Sequence, residues 1–220
     1  MLSYTEENYL KALLMLSFQN EEKPEVGTNE MAAYLGVKPA TATDMLKKLK
    51  EKELVIYEKY GKILLSDLGR KKATAILRKH RLWETFLYKK LDFSWDEVHE
   101  VAEQLEHIQS EKLVNKLEEY LDFPEFDPHG DPIPKANGDI PSIDKTLLSA
   151  VTIGEGCKVV AVKDTSTLFL QYLEKLKITI GTNIKVTEVI DFDGSLNIQI
   201  ENAPIRSVSM KFADSLFVKR

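Results

Sequence analysis

The sequence contains one cysteine, four histidines and no uninterrupted apolar run approaching about 18 residues. A lone Cys157 excludes an internal disulfide and fits a reducing compartment. Without a long apolar run no helix is expected to span a membrane. The N-terminus, MLSYTEENYL, lacks the basic region, apolar core and small-residue cleavage site of a secretory signal, so a cytoplasmic location is expected. Basic residues are not in excess either. The net charge is −5 and the pI about 5.5, which argues against a protein that adheres to nucleic acid in general; any DNA contact must come from a local basic face. Two enzyme signatures are also missing. The residues three before His80, His99 and His107 are Leu77, Asp96 and Gln104, so the Glu-x-x-His of di-iron bundles does not occur, and there is no His-Glu-x-x-His.

What is present is unevenly distributed. In residues 1–72, 12 basic side chains face 11 acidic ones; in 73–140 the figures are 8 and 15; in 141–220 they are 10 and 9. The acidic segment also holds all four histidines, three of them in HRLWETFLYKKLDFSWDEVHEVAEQLEH. At 3.6 residues per turn His80 and Glu84 share a face of one helix. On a second helix, after a break at Asp92–Ser94, His99, Glu103, Glu106 and His107 fall within an arc of about 100°, with Val98, Val101, Leu105 and Ile108 opposite. Imidazoles beside carboxylates on two helices suit a divalent cation, although a solvated acidic face has the same composition.

In residues 1–72, Ser3 and Glu6 have the spacing of a capping box, and Tyr9, Leu10, Leu13 and Leu16 continue it as a helix to about Asn20. EEKPEVG follows as a polar connector. Thr28 is placed to cap a short helix ending at Gly36, and after VKP a third helix carries Met45, Leu46 and Leu49. LVIYEKYGKILLS alternates about Tyr60-Gly61 as a hairpin would. Helix, helix-turn-helix and hairpin in that order predict a winged helix-turn-helix. Its DNA face is expected to use Lys38, Pro39, Ala40, Thr41, Thr43 and Asp44 at the start of the third helix, with Lys47, Lys48, Lys59 and Lys62 on phosphates.

Residues 123–142 hold five of the eight prolines and read as an extended linker in which His129 is structural. Beyond it, CKVVAVKD, TNIKVTEVIDF, SLNIQIENA and SVSMKFADSLFVK read as strands, STLFLQYLEKLK as one helix, and Gly181 and Asp193-Gly194 as turns. The fold class expected is mainly α with a C-terminal β domain. Its three parts are a winged helix (1–72), a helical dimerisation and metal-binding domain (73–140, with the Pro-rich linker from 123) and a small β-barrel (141–220).

Four stretches, TNEMAAYLGVKPATATDMLKKLKEKELV, LLSDLGRKKATAILRKHRLWETFL, LEHIQSEKL and DPHGDPIP, resemble the diphtheria toxin repressor family of metal-dependent transcriptional regulators, including its manganese-responsive branch. The likeness is close over the first 140 residues and looser beyond, where the chain is similar to an SH3-like domain of the ferrous-transport-A type. It implies a homodimeric repressor that binds double-stranded operator DNA when Mn²⁺, or alternatively Fe²⁺, is bound, and so controls metal-uptake genes; it implies neither a membrane partner nor a small-molecule substrate. The primary metal site implied is Asn8, Glu103, Glu106 and His107, and the ancillary site His80, Glu84 and His99. Two positions depart from the family pattern. Asn8 stands where Met or Asp is usual, and Lys11 stands where the manganese branch places a ligating Glu. The competing classes are a di-metal carboxylate/histidine enzyme and a dimeric DNA-binding protein without a metal response.

Overall fold

The architecture is that of a computed structural model describing residues 2–19, 24–57 and 62–220. The chain divides into two compact units. One comprises the chain up to His80 with Glu103–Glu111 and Pro134–Asp139; the other comprises Arg81–Ala102, Lys112–Ile133 and Ile140–Arg220.

The first unit opens with α1 (Tyr4–Gln19). Ser3 and Glu6 form the expected capping box: the Glu6 amide donates to Ser3 Oγ at 3.3 Å and the Ser3 amide to Glu6 Oε2 at 2.9 Å. Next come β1 (Val26–Gly27), α2 (Thr28–Tyr34), α3 (Pro39–Glu51), β2 (Val55–Tyr57) and β3 (Lys62–Leu65). The polar connector therefore contains a short strand. Val26 is buried and pairs with Ile63, which makes β3 the centre of a β1-β3-β2 sheet. The capping residue of α2 is Gly27 and not Thr28, because the Gly27 amide donates to Glu30 Oε2 and Thr28 is already helical. Gly36, at φ +65°, reverses the chain after α2, and Pro39 starts α3 where its missing N–H costs nothing.

On α3 the fully buried residues are Ala42, Leu46 and Leu49, while Lys38, Pro39, Ala40, Thr41, Asp44, Lys47 and Lys48 are exposed. Each buried leucine contributes about 1.5–3 kcal/mol, so the 3.6-residue spacing fixes which face turns outward. The tip of the hairpin, with Lys59 and the Tyr60-Gly61 turn, lies outside the described residues. Its arms pair as expected, Val55 with Leu65 and Tyr57 with Ile63. Leu10, Leu13, Leu14, Met31, Leu46, Leu49 and Ile63 form one core with Ala73 and Leu77.

α4 (Asp67–Lys90) is buried on almost all sides from Ile76 to Leu87, although Arg78, His80, Arg81 and Glu84 lie in that stretch. Charges at such positions require partners, and those partners define the sites below. After Asp92, at φ +56°, come α5 (Val98–Leu105) and α6 (Glu111–Tyr120). Where one helix is expected after the break at Asp92–Ser94, there are thus two. Glu106 and His107 lie in the turn after α5 and not on its face, because hydrogen bonds to side chains of α1 and α4 replace the next helical turn.

The Pro-rich segment is also more ordered than a linker. The Ile133 amide donates to Glu125 O, the Asp127 amide to Asp131 O, and Asp127 Oδ1 accepts from the amides of His129 and Asp131. The C-terminal sheet is six-stranded and antiparallel, in the order β4-β9-β5-β6-β7-β8, from β4 (Thr146–Leu147), β5 (Gly156–Val162), β6 (Asn183–Val189), β7 (Leu196–Ile200), β8 (Arg206–Val208) and β9 (Leu216–Lys219). Register shifts at Val159/Ala161 and Val186/Glu188 bend it, and α7 (Thr167–Leu176) packs Leu170 and Leu173 into its core. The run SVSMKFADSLFVK is interrupted by α8 (Met210–Ala213), because Ser209 Oγ caps it by accepting the Phe212 amide. Among the described residues no helix is long and apolar enough to cross a membrane.

Candidate metal centre

The first unit contains a buried polar cluster joining α1 to the turn after α5. His107 Nδ1 lies 2.7 Å from Glu7 Oε2, and the imidazole stacks on Tyr4 with ring centroids 4.4 Å apart. Gln109 Nε2 donates to the other Glu7 oxygen at 2.7 Å. A carboxylate can only accept, so Nδ1 carries a proton and Nε2 is the ring nitrogen left to face a cation. One turn further along α1, Lys11 Nζ donates to Glu106 Oε2 at 2.7 Å and to Glu103 Oε1 at 3.1 Å. His80 Nδ1 reaches the same Glu106 oxygen at 2.6 Å. Asn8 lies on the same helix between Glu7 and Lys11.

Two oxygens of this cluster are unusual. Among the described residues, Asn8 Oδ1 and Glu106 Oε1 are buried acceptors with no hydrogen-bond partner. An unsatisfied buried acceptor costs about 1–3 kcal/mol, more when charged. A cation would satisfy either oxygen, and the donors in the cluster are those a hard divalent ion takes: an amide oxygen, carboxylates and an imidazole. Burial alone would raise the Glu106 pKa, but the hydrogen bond and charge of His80 and the Lys11 ammonium outweigh it and hold the carboxyl below its usual range. The carboxylate is therefore in its ligating form. Lys79 approaches from α4; burial lowers its pKa against the opposing charges of Glu7 and Glu106.

The second unit contains another cluster. Glu84, Asp127 and His129 are all buried, each offering a ligand atom within 4.8 Å of the others. His129 Nδ1 lies 3.9 Å from Glu84 Oε2, and His99 Nδ1 lies 3.2 Å from Glu84 Oε1. His129 Nε2 is 3.0 Å from the Trp95 carbonyl, which can only accept, so Nδ1 is the nitrogen left for a ligand. An imidazole whose far N–H is held by a backbone carbonyl is the usual arrangement around a bound metal. Burial, then the charges of Glu84 and Asp131, push the Asp127 carboxyl well above its ordinary range despite the guanidinium of Arg81. A cation there would offset that repulsion.

Of the primary residues expected, the structure brings Glu103, Glu106 and His107 against α1, through Lys11 and Glu7, with Asn8 alongside. Of the ancillary residues, Glu84 and His99 meet, while His80 places Nδ1 on Glu106 and stands one turn before Glu84 on α4. Sequence reasoning missed Glu7, which looks like an ordinary acidic first-turn residue, and Asp127. It took His129 for a structural loop residue; its burial against Glu84 comes from the folded loop, which the proline count concealed. Asp164, the one carboxylate in KDTSTLFLQ, accepts the Ser166 amide at 2.9 Å ahead of α7. On the DNA side, Thr43 Oγ1 donates to Pro39 O, Lys47 pairs loosely with Asp44 at 3.5 Å, and Lys62 pairs with Glu25.

Comparison with known proteins accounts for this combination. Residues 1–63 match the iron dependent repressor N-terminal DNA binding domain, residues 66–135 the iron dependent repressor metal binding and dimerisation domain, and residues 146–220 the FeoA domain. The fold is similar to a manganese-dependent transcriptional repressor in complex with manganese, at 34% identity and a TM-score of 0.84 over 97% of this chain and 98% of that one. The diphtheria toxin repressor of Corynebacterium jeikeium is 32% identical over 59% of this chain and 53% of its own length. A probable metal transport system membrane protein of Chlamydia trachomatis is 44% identical over 32% of this chain, a match spanning 16% of that protein. Proteins of this group are DNA-binding regulators that dimerise, not enzymes. The chain belongs to the diphtheria toxin repressor family of metal-dependent transcriptional regulators.

Proposed function

We propose that this protein is a cytoplasmic, homodimeric repressor that binds operator DNA when Mn²⁺ occupies a site made of Asn8, Glu103, Glu106 and His107, and that it controls metal-uptake genes. The observation that carries the proposal is the pair of orphaned buried oxygens, Asn8 Oδ1 and Glu106 Oε1, one on the first helix of the DNA-reading head and one in the turn after α5. A divalent ion taken up by both fixes α1 to that turn, and with it the orientation of α3. Residues 1–72 read DNA, 73–140 dimerise and bind metal, and 141–220 form a third domain. Dimerisation draws on apolar surface left exposed at Tyr88, Leu91, Leu113, Tyr120 and Phe123. Glu84 and His99, joined by Asp127 and His129, act as a second cation site that steadies the fold.

Oxygen and imidazole donors favour Mn²⁺, with Fe²⁺ the alternative because it accepts the same ligands and geometry. The soft thiol is not available to either: Cys157 sits in the core of the C-terminal sheet, where burial pushes its pKa up to about 11. Zn²⁺ should bind more tightly in vitro yet settle for four ligands, leaving part of the set unused.

The test is a gel shift on the protein's own promoter region with chelator, Mn²⁺ and Fe²⁺ in parallel. Mn²⁺ should give a shift that chelator abolishes, over a footprint with two-fold symmetry and half-sites about one helical turn apart or a multiple of it. The exposed Lys38, Lys47 and Lys48, with Lys62 and Lys59, hold phosphates in this account, so affinity should fall at least about 100-fold between 50 and 200 mM salt. A shift indifferent to chelator would leave a plain DNA-binding dimer; oxygen consumption on adding Fe²⁺ would favour the di-metal enzyme.

A further inference from the structure

Lys11 has no part in the ligand set just proposed, yet it occupies the middle of it. The side chain is buried, and its ammonium touches both Glu106 Oε2, at 2.7 Å, and Glu103 Oε1, at 3.1 Å. An ammonium carries a full positive charge and three donors but no lone pair. It can neutralise carboxylates as a metal does, but it cannot serve as a ligand. The two oxygens of Glu106 are thereby divided: Oε2 is held from two sides by Lys11 and His80, whereas Oε1 has no hydrogen-bond partner among the described residues. One half of the carboxylate faces a cation that is part of the chain, and the other half is left for a cation from solution.

We propose that the Lys11 ammonium is a permanent second cation of this cluster, so that the site takes a single divalent ion, through Glu106 Oε1, His107 Nε2 and Asn8 Oδ1, and excludes a second one at Glu106 Oε2. The inference rests on the metal reading above and deepens it, because it sets the number of ions to which the switch responds. An ion at Glu106 Oε2 would have to displace a buried positive charge that has two carboxylate partners. The fixed charge also repels the ion that does bind, which holds affinity below what the same ligands would give alone. Each site then fills with simple saturation.

The experiment uses full-length protein carrying Glu84→Gln, which disables the second cluster, and follows Mn²⁺ titrations by electron paramagnetic resonance and by counting bound ions. With Lys11 present, one Mn²⁺ per chain and an uncoupled six-line spectrum are expected at saturation. Lys11→Glu, which exchanges the cation for a further carboxylate, should take two ions per chain, with the broadened signal of a close spin-coupled pair. Lys11→Gln, of similar size and uncharged, adds less buried negative charge than Lys11→Glu and should tighten the first ion about ten-fold. Two coupled ions in the Lys11 protein, or a Lys11→Gln affinity within two-fold of it, overturn this inference and leave the metalloregulator intact. A Lys11 protein that binds no Mn²⁺ overturns both.

Discussion

His107→Ala should reduce Mn²⁺-dependent operator binding on the order of 100-fold or more, to the level seen with chelator. His107 supplies the only nitrogen in the proposed primary set, and its Nδ1 is held on Glu7 of α1 at 2.7 Å, so Nε2 is aimed by the head itself. Removing the partner of a metal-bound imidazole typically costs 10–100-fold in metal affinity, and removing the imidazole costs at least the upper end of that range. The same substitution deletes the stack on Tyr4 and leaves the buried Glu7 oxygen without its donor, so metal-free stability should fall by about 1–3 kcal/mol. Fluorescence anisotropy on operator duplex with Mn²⁺ and with chelator separates the two effects. A variant that still tightens on DNA when Mn²⁺ is added contradicts the assignment.

Gly130→Ala should be the most damaging small substitution in the second unit. Gly130 has φ +85°, and a Cβ there would lie 2.0 Å from Val160 O and 2.6 Å from Ala161 Cα, both backbone atoms of β5. Neither can rotate away, and His129 O is already fixed on the Val162 amide at 2.9 Å. Overpacking of about 1–3 kcal/mol adds to a left-handed penalty of about 1–2 kcal/mol, so a loss of about 3 kcal/mol is expected. Chemical denaturation measures it; a loss below about 1 kcal/mol would mean that the loop is not clamped to β5. The neighbouring His129 should move with it, weakening cation binding by Glu84, Asp127 and His129.

These two residues show where sequence was sufficient and where it was not. The winged helix was legible because each of its devices is local: Ser3 with Glu6, Gly36 with Pro39, the three-and-four spacing of Ala42, Leu46 and Leu49, and the alternation on either side of the wing tip. His107 was legible as a candidate through its family resemblance and its neighbouring carboxylates. Its setting was not, since apolar spacing from Val98 to Ile108 continues past Leu105 with nothing local to mark the helix end. That end is fixed by tertiary contacts with Glu7, Lys11 and His80, from segments 26 or more positions away in the chain. Asp127, His129 and Gly130 were concealed for a related reason. Prolines and glycine in that run signal an extended connection, whereas Asp127 folds the loop through its own side chain and β5 buries it. Within SVSMKFADSLFVK, strand propensity hid a four-residue helix that depends on one serine cap.

The claim that metal bound at Asn8, Glu103, Glu106 and His107 orders the DNA-reading head implies a reciprocal coupling: the factor by which Mn²⁺ tightens DNA must equal the factor by which DNA tightens Mn²⁺. The direct measurement is calorimetric titration of Mn²⁺ into the protein alone and into the protein saturated with the duplex that shifts on the gel, set beside the operator affinity with and without Mn²⁺. The account predicts Mn²⁺ binding tighter on the duplex by about 5–150-fold, matching the gain in DNA affinity. Equal Mn²⁺ affinity with and without duplex would contradict it.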